Sequence, residues 1–222
     1  MESRARPARM LRWPEPCLML ITDRARLRGR SMEEVASQAV EGGVNVVQLR
    51  EKDLPTGDLY DLAATLHAVL RGRALLLIND RLDIALTVGA DGVHLPEHSL
   101  PGSKSREAAG EACIVGRAVH SVEAAVTAEA GGADYVQVGA IYETASKPGV
   151  TPAGLDLVTA VRDAVGIPVM AVGGIDATNA ADVIAAGADG IAVIGEIMDA
   201  DDPENAAREL RSDLDETYAP VS

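Results

Sequence analysis

"GGADYVQV", residues 131–138, opens on two glycines, passes an acidic residue and runs into a short apolar stretch. Three other segments share this plan: "GGVNVVQL" (42–49), "VGADGVHL" (88–95) and "AGADGIAV" (186–193). In each, glycine after a helical pattern supplies a left-handed cap, the polar residue makes a turn, and the apolar run reads as a buried parallel strand. With starts at 42, 88, 131 and 186, the copies lie 46, 43 and 55 residues apart, too far for one βα unit and suited to two. The intervening strands are "CLMLITD" (17–23), "ALLLIND" (74–80), "CIVG" (113–116) and "IPVMAVGG" (167–174). Helical patterns separate them, among them "SMEEVASQAVEGG", where Ser31 and Glu34 are spaced for a capping box. Eight alternating units with right-handed crossovers predict a single-domain α/β protein, a (β/α)8 TIM barrel, with an open doubly wound sheet as the alternative. The expected organisation is a flexible basic arm over 1–16, the barrel over 17–218 and a tail over 219–222.

Composition supports one core and narrows the partners. The 222 residues include no Phe and only 2% aromatics against 47% hydrophobic residues, so small branched side chains must fill the interior. Twenty Lys and Arg against 34 Asp and Glu give a formal charge of −14, which argues against nucleic acid and anionic membranes as partners. The arm carries Arg4, Arg6, Arg9 and Arg12 but no apolar core of a secretory signal, and no stretch nears ~20 uninterrupted apolar residues, so the expectation is a cytoplasmic protein. Cys17 and Cys113 stand far apart and outside any CxxC pattern, as buried thiols in a reducing compartment would. A homo-oligomer is compatible with all of this.

In a barrel the working face lies at the carboxyl ends of the strands. There the chain offers Thr22 and Asp23, then Gln48, Arg50, Glu51 and Lys52, then Asn79 and Asp80, Arg117 and His120, Gln137, and the loop "IYETASKPG" (141–149) with Thr144, Ser146 and Lys147. Asp23 and Glu51 read as caps or turn residues. The last two strands end in "AVGGI" and "AVIGEI", so Gly173, Gly174, Ile194 and Gly195 can bring main-chain N–H groups close to an anion; this predicts a phosphate cradle. Arg50, Lys52 and Lys147 would focus an anionic substrate on that rim, with 141–149 as a closing flap. His120, at a strand-to-helix seam, fits a buried hydrogen-bonder, a metal ligand or a proton carrier. His94 within its strand reads as structural and His98 as a loop residue.

The segments "LITD", "VQLREK" (47–52), "LLINDRLDIAL" (76–86), "GADGVHL" (89–95), "ADYVQVGAIYET" (133–144), "IPVMAVGGI" (167–175) and "AGADGIAV" together resemble the thiamine-phosphate synthase superfamily, from about residue 18 to about 212. The resemblance implies one of two enzymes. Synthases couple hydroxymethylpyrimidine pyrophosphate to a thiazole phosphate with Mg2+, releasing pyrophosphate. TenI-type thiazole tautomerases aromatise a thiazole carboxylate phosphate with no metal or other cofactor. For a synthase, the resemblance makes Asp80 a Mg2+ carboxylate and retains Gln48, Arg50, Lys52, Asn79 and Lys147. The second metal carboxylate falls on Ser99, with Glu97 two residues away, and Ala118 and Glu143 also depart from the synthase pattern. "GRAVHSVEAAV" and "ETASKPG" look closer to the tautomerase form, in which His120 is the acid/base residue, the four cradle residues pin the phosphate, Arg50 or Lys52 pairs with the carboxylate, and Gln48, Asn79, Thr144, Ser146 and Lys147 contact the substrate. The leading expectation is therefore a tautomerase acting on a phosphorylated thiazole, the alternative a synthase, and the third a non-catalytic regulator that senses thiamine phosphate.

Overall fold

A computed structural model describes residues 13–144, 149 and 151–218. Eight parallel strands pair in sequence order and close on themselves: β1 (Cys17–Ile21), β2 (Val46–Leu49), β3 (Leu75–Asn79), β4 (Gly92–Leu95), β5 (Ile114–Val119), β6 (Tyr135–Gly139), β7 (Val169–Val172) and β8 (Gly190–Val193). The predicted barrel is thus observed, and the open sheet is excluded by the β1–β8 pairing of Cys17 with Gly190 through Leu20 with Val193. Helices follow the strands: α1 (Met32–Glu41), α2 (Thr56–Leu70), α3 (Leu82–Val88), α4 (Gly102–Ala109), α5 (Val122–Ala130), α6 (Gly154–Ala164), α7 (Ala180–Ala185), the single turn α8 (Gly195–Met198) and α9 (Pro203–Thr217). Both bonds of the Ser31–Glu34 capping box are present.

The repeated motif has a physical cause. Its polar residue at the foot of each even strand accepts a main-chain N–H from the odd strand before it: Asn45 from Leu18 (2.9 Å), Asp91 from Leu76 (3.0 Å), Asp134 from Val115 (2.8 Å) and Asp189 from Val169 (2.8 Å). One side chain therefore ties two strands together, and the pattern recurs once per pair of units.

Two apolar layers result from the alternation of side chains along the strands. Outward residues such as Leu18, Val47, Leu76 and Val136 pack under the helices, while Met19, Val46, Leu77, Ile114, Tyr135 and Met170 fill the barrel. Tyr135 occupies space opened by Gly116, where a Cβ would lie 2.1 Å from the phenol ring. Cys17 and Cys113 are buried free thiols, as expected.

The expected boundary of the arm needs correction. Trp13 is 5% exposed, belongs to the inner cluster, and stacks on Tyr135 with ring centroids 4.4 Å apart. A large aromatic has a packing gain that outweighs the local basic composition, so the chain joins the core four residues before β1. Residues 1–12 and 219–222 lie outside the described residues. No helix among the described residues is long and apolar enough to cross a membrane.

Candidate active site

The carboxyl ends of the strands surround a cavity of about 810 Å3. Gln48, Arg50, Lys52, Asn79, His120, Thr144, Gly173, Gly174, Ile194 and Gly195 all line it, so residues spread over 148 positions of sequence meet in one space. Ser146 and Lys147 lie outside the described residues. Asp80 is displaced from the group: it lines an adjoining cleft of about 250 Å3 that shares Lys52, Asn79 and Pro96 with the main cavity.

The β1–β2 rim is held by a buried polar knot. Thr22 Oγ1 donates to Glu51 (2.7 Å) and accepts from the Arg50 N–H (3.0 Å), while the Glu51 carboxylate accepts from the Arg24 N–H (3.2 Å). Burial raises the Glu51 carboxyl above its ordinary value, against the Thr22 and Arg24 hydrogen bonds, which lower it. Glu51 and Asp23 are structural, as read from sequence, and the knot fixes where Arg50 and Lys52 start.

Deeper in, the Gln48 amide donates to Asn79 Oδ1 (3.1 Å), but its own carbonyl oxygen is buried with no donor among the described residues. On the far wall Gln137 repeats this condition: it is 7% exposed, lines the cavity, and its carbonyl oxygen is likewise unpartnered. β2 and β6 stand four strands apart in a ring of eight, so the two carbonyls belong to opposite walls. Sequence reasoning named Gln137 as a polar strand end without giving it a role; only an inward-facing position distinguishes it from a solvated glutamine.

His94 is the structural histidine expected, with Nδ1 2.8 Å from the Tyr135 hydroxyl. Burial, helped by Arg117 and Arg50, lowers its pKa to about 3, so the ring is neutral. His120 is different: it is partly exposed, lines the cavity, and its Nδ1 meets a Glu97 carboxylate oxygen. Ser99 Oγ donates to Asp80 Oδ1 at 2.6 Å. The residue at the second metal-carboxylate position therefore serves Asp80, and Glu97 is engaged elsewhere.

At the predicted phosphate cradle, Gly173 and Gly174 have φ of +106° and +66°, and a Cβ on Gly174 would lie 2.3 Å from the Glu143 carbonyl. Neither position accepts a side chain. One cation there was missed: Arg26 lines the cavity beside Gly195, held by Asp23 (3.1 Å) and by Asp199. Its signal was the run of arginines just after β1. Asp176 and Glu196 line the same end, and burial, with Asp176 nearby, raises the Glu196 carboxyl.

An inward polar layer over an apolar floor, with cations at one lip and glycine amides at the other, suits a phosphorylated ring compound. The profile of the family described as thiamine monophosphate synthase matches residues 18–197. This chain belongs to that family. A thiamine-phosphate synthase of Natronomonas pharaonis is 46% identical over 90% of this chain and 95% of its own length, and one from Syntrophomonas wolfei is 45% identical over 87% and 94%. The solved thiamine phosphate pyrophosphorylase of Pyrococcus furiosus superposes with a TM-score of 0.85 at 38% identity, covering 94% of this chain and all of that one. A 3-hexulose-6-phosphate synthase, at 22% identity and TM-score 0.67, shares the fold. These relatives bear the synthase name, so the leaning toward the tautomerase branch drawn from Ser99, Ala118 and Glu143 is not what they support.

Proposed function

We propose that the chain is a thiamine-phosphate synthase, joining hydroxymethylpyrimidine pyrophosphate to a thiazole phosphate. The observation that carries this reading is the pair of buried, unpartnered carbonyl oxygens of Gln48 and Gln137. Leaving such acceptors unpaired costs roughly 1–3 kcal/mol each, so a fitting ligand brings N–H donors to them. The pyrimidine has a ring amino group; the thiazole carboxylate phosphate has no N–H at all. The cavity of about 810 Å3 also lies high in the span of roughly 300–1,000 Å3 usual for small-molecule sites, leaving room for two rings.

On this reading the thiazole nitrogen attacks the pyrimidine methylene carbon. The N–C bond forms as the C–O bond to pyrophosphate breaks, and the leaving group takes the electron pair. Gln48 and Gln137 orient the pyrimidine, Arg50 and Lys52 hold the pyrophosphate and balance the charge it gains, and the amides of Gly173, Gly174, Ile194 and Gly195 hold the thiazole phosphate. Asp80 fits as a single carboxylate for Mg2+, an ion that commonly takes one or two carboxylates and otherwise phosphate and water oxygens. When bound, the ion would neutralise negative charge on the leaving group. The Ser99–Asp80 hydrogen bond supports a one-carboxylate site rather than a two-carboxylate one.

The tautomerase reading is kept as the second, because the Glu97–His120 pair puts an imidazole and a carboxylate together on the cavity wall, an arrangement suited to moving a proton. One experiment separates the readings. Purified protein is given both synthase substrates with Mg2+, and separately the exocyclic thiazole carboxylate phosphate with a chelator. Thiamine phosphate in the first reaction, falling at least roughly tenfold in Gln137→Met, is the expected result. Aromatic thiazole only in the second reaction rejects the synthase in favour of the tautomerase; ligand binding without turnover in either leaves the regulator.

A further inference from the structure

The β1–α1 loop carries arginine at every second position, Arg24, Arg26, Arg28 and Arg30, and the last three turn to one place, residues 198–201, where the single turn α8 ends. Arg30 donates from Nη2 to the Met198 carbonyl (2.6 Å) and from Nη1 to the Ala200 carbonyl (2.7 Å), while its Nε returns to the Leu27 carbonyl of its own loop (3.1 Å). Arg28 donates from Nη1 to the Asp199 carbonyl (2.6 Å) and to Asp201 (2.9 Å), and Arg26 pairs with the Asp199 carboxylate. To place its side chain there, Arg28 holds a left-handed φ of +52°, uncommon for a residue with a Cβ.

The other end of α8 is the phosphate cradle. One helical turn has too few internal bonds to hold itself, here Met198 N–H to Ile194 (2.9 Å) and Asp199 N–H to Gly195 (2.9 Å), so its place is set from outside. Ile197 and Met198 are sealed in the core, and the arginines take the carbonyls at the C-terminal end, which favour cations. One turn away, Ile194 and Gly195 line the cavity.

We propose that Arg30, assisted by Arg28, is a positioning residue for the phosphate cradle: it grips α8 by its carbonyl end and thereby sets the Ile194 and Gly195 amides that meet the thiazole phosphate. The inference rests on the cradle of the synthase reading. Arg30 carries more of the grip than Arg28, because it is partly buried and its three bonds all end on main-chain carbonyls, whereas Arg28 and Asp201 are exposed and water and salt weaken their pair. A planar fork spans two carbonyls at once, a geometry that the point charge of lysine does not reproduce.

The test compares the full chain with Arg30→Met, Arg30→Lys and Arg28→Met. Calorimetry gives Kd for thiazole phosphate, for the unphosphorylated thiazole alcohol and for hydroxymethylpyrimidine pyrophosphate, and hydrogen exchange follows the 194–201 segment. Arg30→Met is expected to weaken thiazole phosphate roughly tenfold or more and to leave the other two ligands within about twofold, since only the cradle is displaced. Amides at 197–200 then exchange faster while those of β4 and β5 do not change. Arg30→Lys, which keeps the charge without the fork, falls between, and Arg28→Met moves the same quantities in the same direction by less; these two carry the comparison if Arg30→Met does not fold. Equal weakening of all three ligands with a general rise in exchange would mark a merely structural role and overturn the proposal, as would an unchanged affinity for thiazole phosphate. Binding needs no turnover, so a wild type that binds thiazole phosphate and makes no thiamine phosphate refutes the synthase reading alone. An active synthase whose Arg30→Met variant keeps its affinity refutes this inference alone.

Discussion

His94 shows how one residue can be polar, central and unsuited to titration. It is sealed against Tyr135, and burial holds its pKa at about 3 against an ordinary 6.5. Between those values the unfolded chain binds a proton that the folded chain refuses, so stability falls as pH drops through that window. The slope from this residue approaches ~1.4 kcal/mol per pH unit. Glu51 and Glu196 have raised values and act in the opposite sense, so their effect sets in nearer the carboxylate range as pH falls. Urea midpoints measured at pH 7 and pH 5 should therefore differ more for the wild type than for His94→Gln. Equal differences would mean that the imidazole is not the group responsible. His120, one residue past the end of β5, lines the same cavity but is partly exposed and meets the Glu97 carboxylate, and that difference in surroundings separates it from the sealed His94 of β4.

At the scale of elements, the barrel is assembled in pairs of strands. Asp189 sits at the foot of β8, is 8% exposed, and accepts the Val169 N–H of β7. Asp189→Ala leaves that buried N–H without an acceptor and should cost about 1–3 kcal/mol in urea unfolding. Asp189→Asn keeps an oxygen in place and should cost much less. If the two variants were equally destabilised, charge rather than the hydrogen bond would be what matters there. At the other end of the strands, Gly174 has a positive φ and no room for a Cβ. Gly174→Ala should raise KM for the phosphorylated thiazole by roughly tenfold or more, because the loop that presents its amide must shift; an unchanged KM would place the phosphate elsewhere.

Over the whole molecule, the two ends of the barrel divide stability from function. Trp13 and Tyr135 close the floor; neither lines the cavity, and Tyr135 is separated from it by His94. Trp13→Ala removes the chain's single tryptophan from a buried stack and should cost on the order of 3–5 kcal/mol, seen as a lower melting temperature with ligand affinity unchanged in the cold. The acidic body, at −14, repels anions in general, so Arg26, Arg50 and Lys52 at the mouth give a local exception for a phosphorylated ligand.

The eight strands, their order and the capping box were legible in the sequence, because each is written in neighbours: glycine, a polar foot, an apolar run of four or five. That Gly173, Gly174, Ile194 and Gly195 face one cavity with the β2 residues was legible for the same reason, since strand ends in a barrel share one face. What the polar foot does was not legible, because Asp189 acts on Val169, twenty residues away and on another strand. Nor was the inward carbonyl of Gln137, the guanidinium of Arg26 beside Gly195, or the contact of Glu97 with His120. These depend on which side chains from distant segments share a low-dielectric space and which donors are left over there, and that count exists only once the barrel has closed.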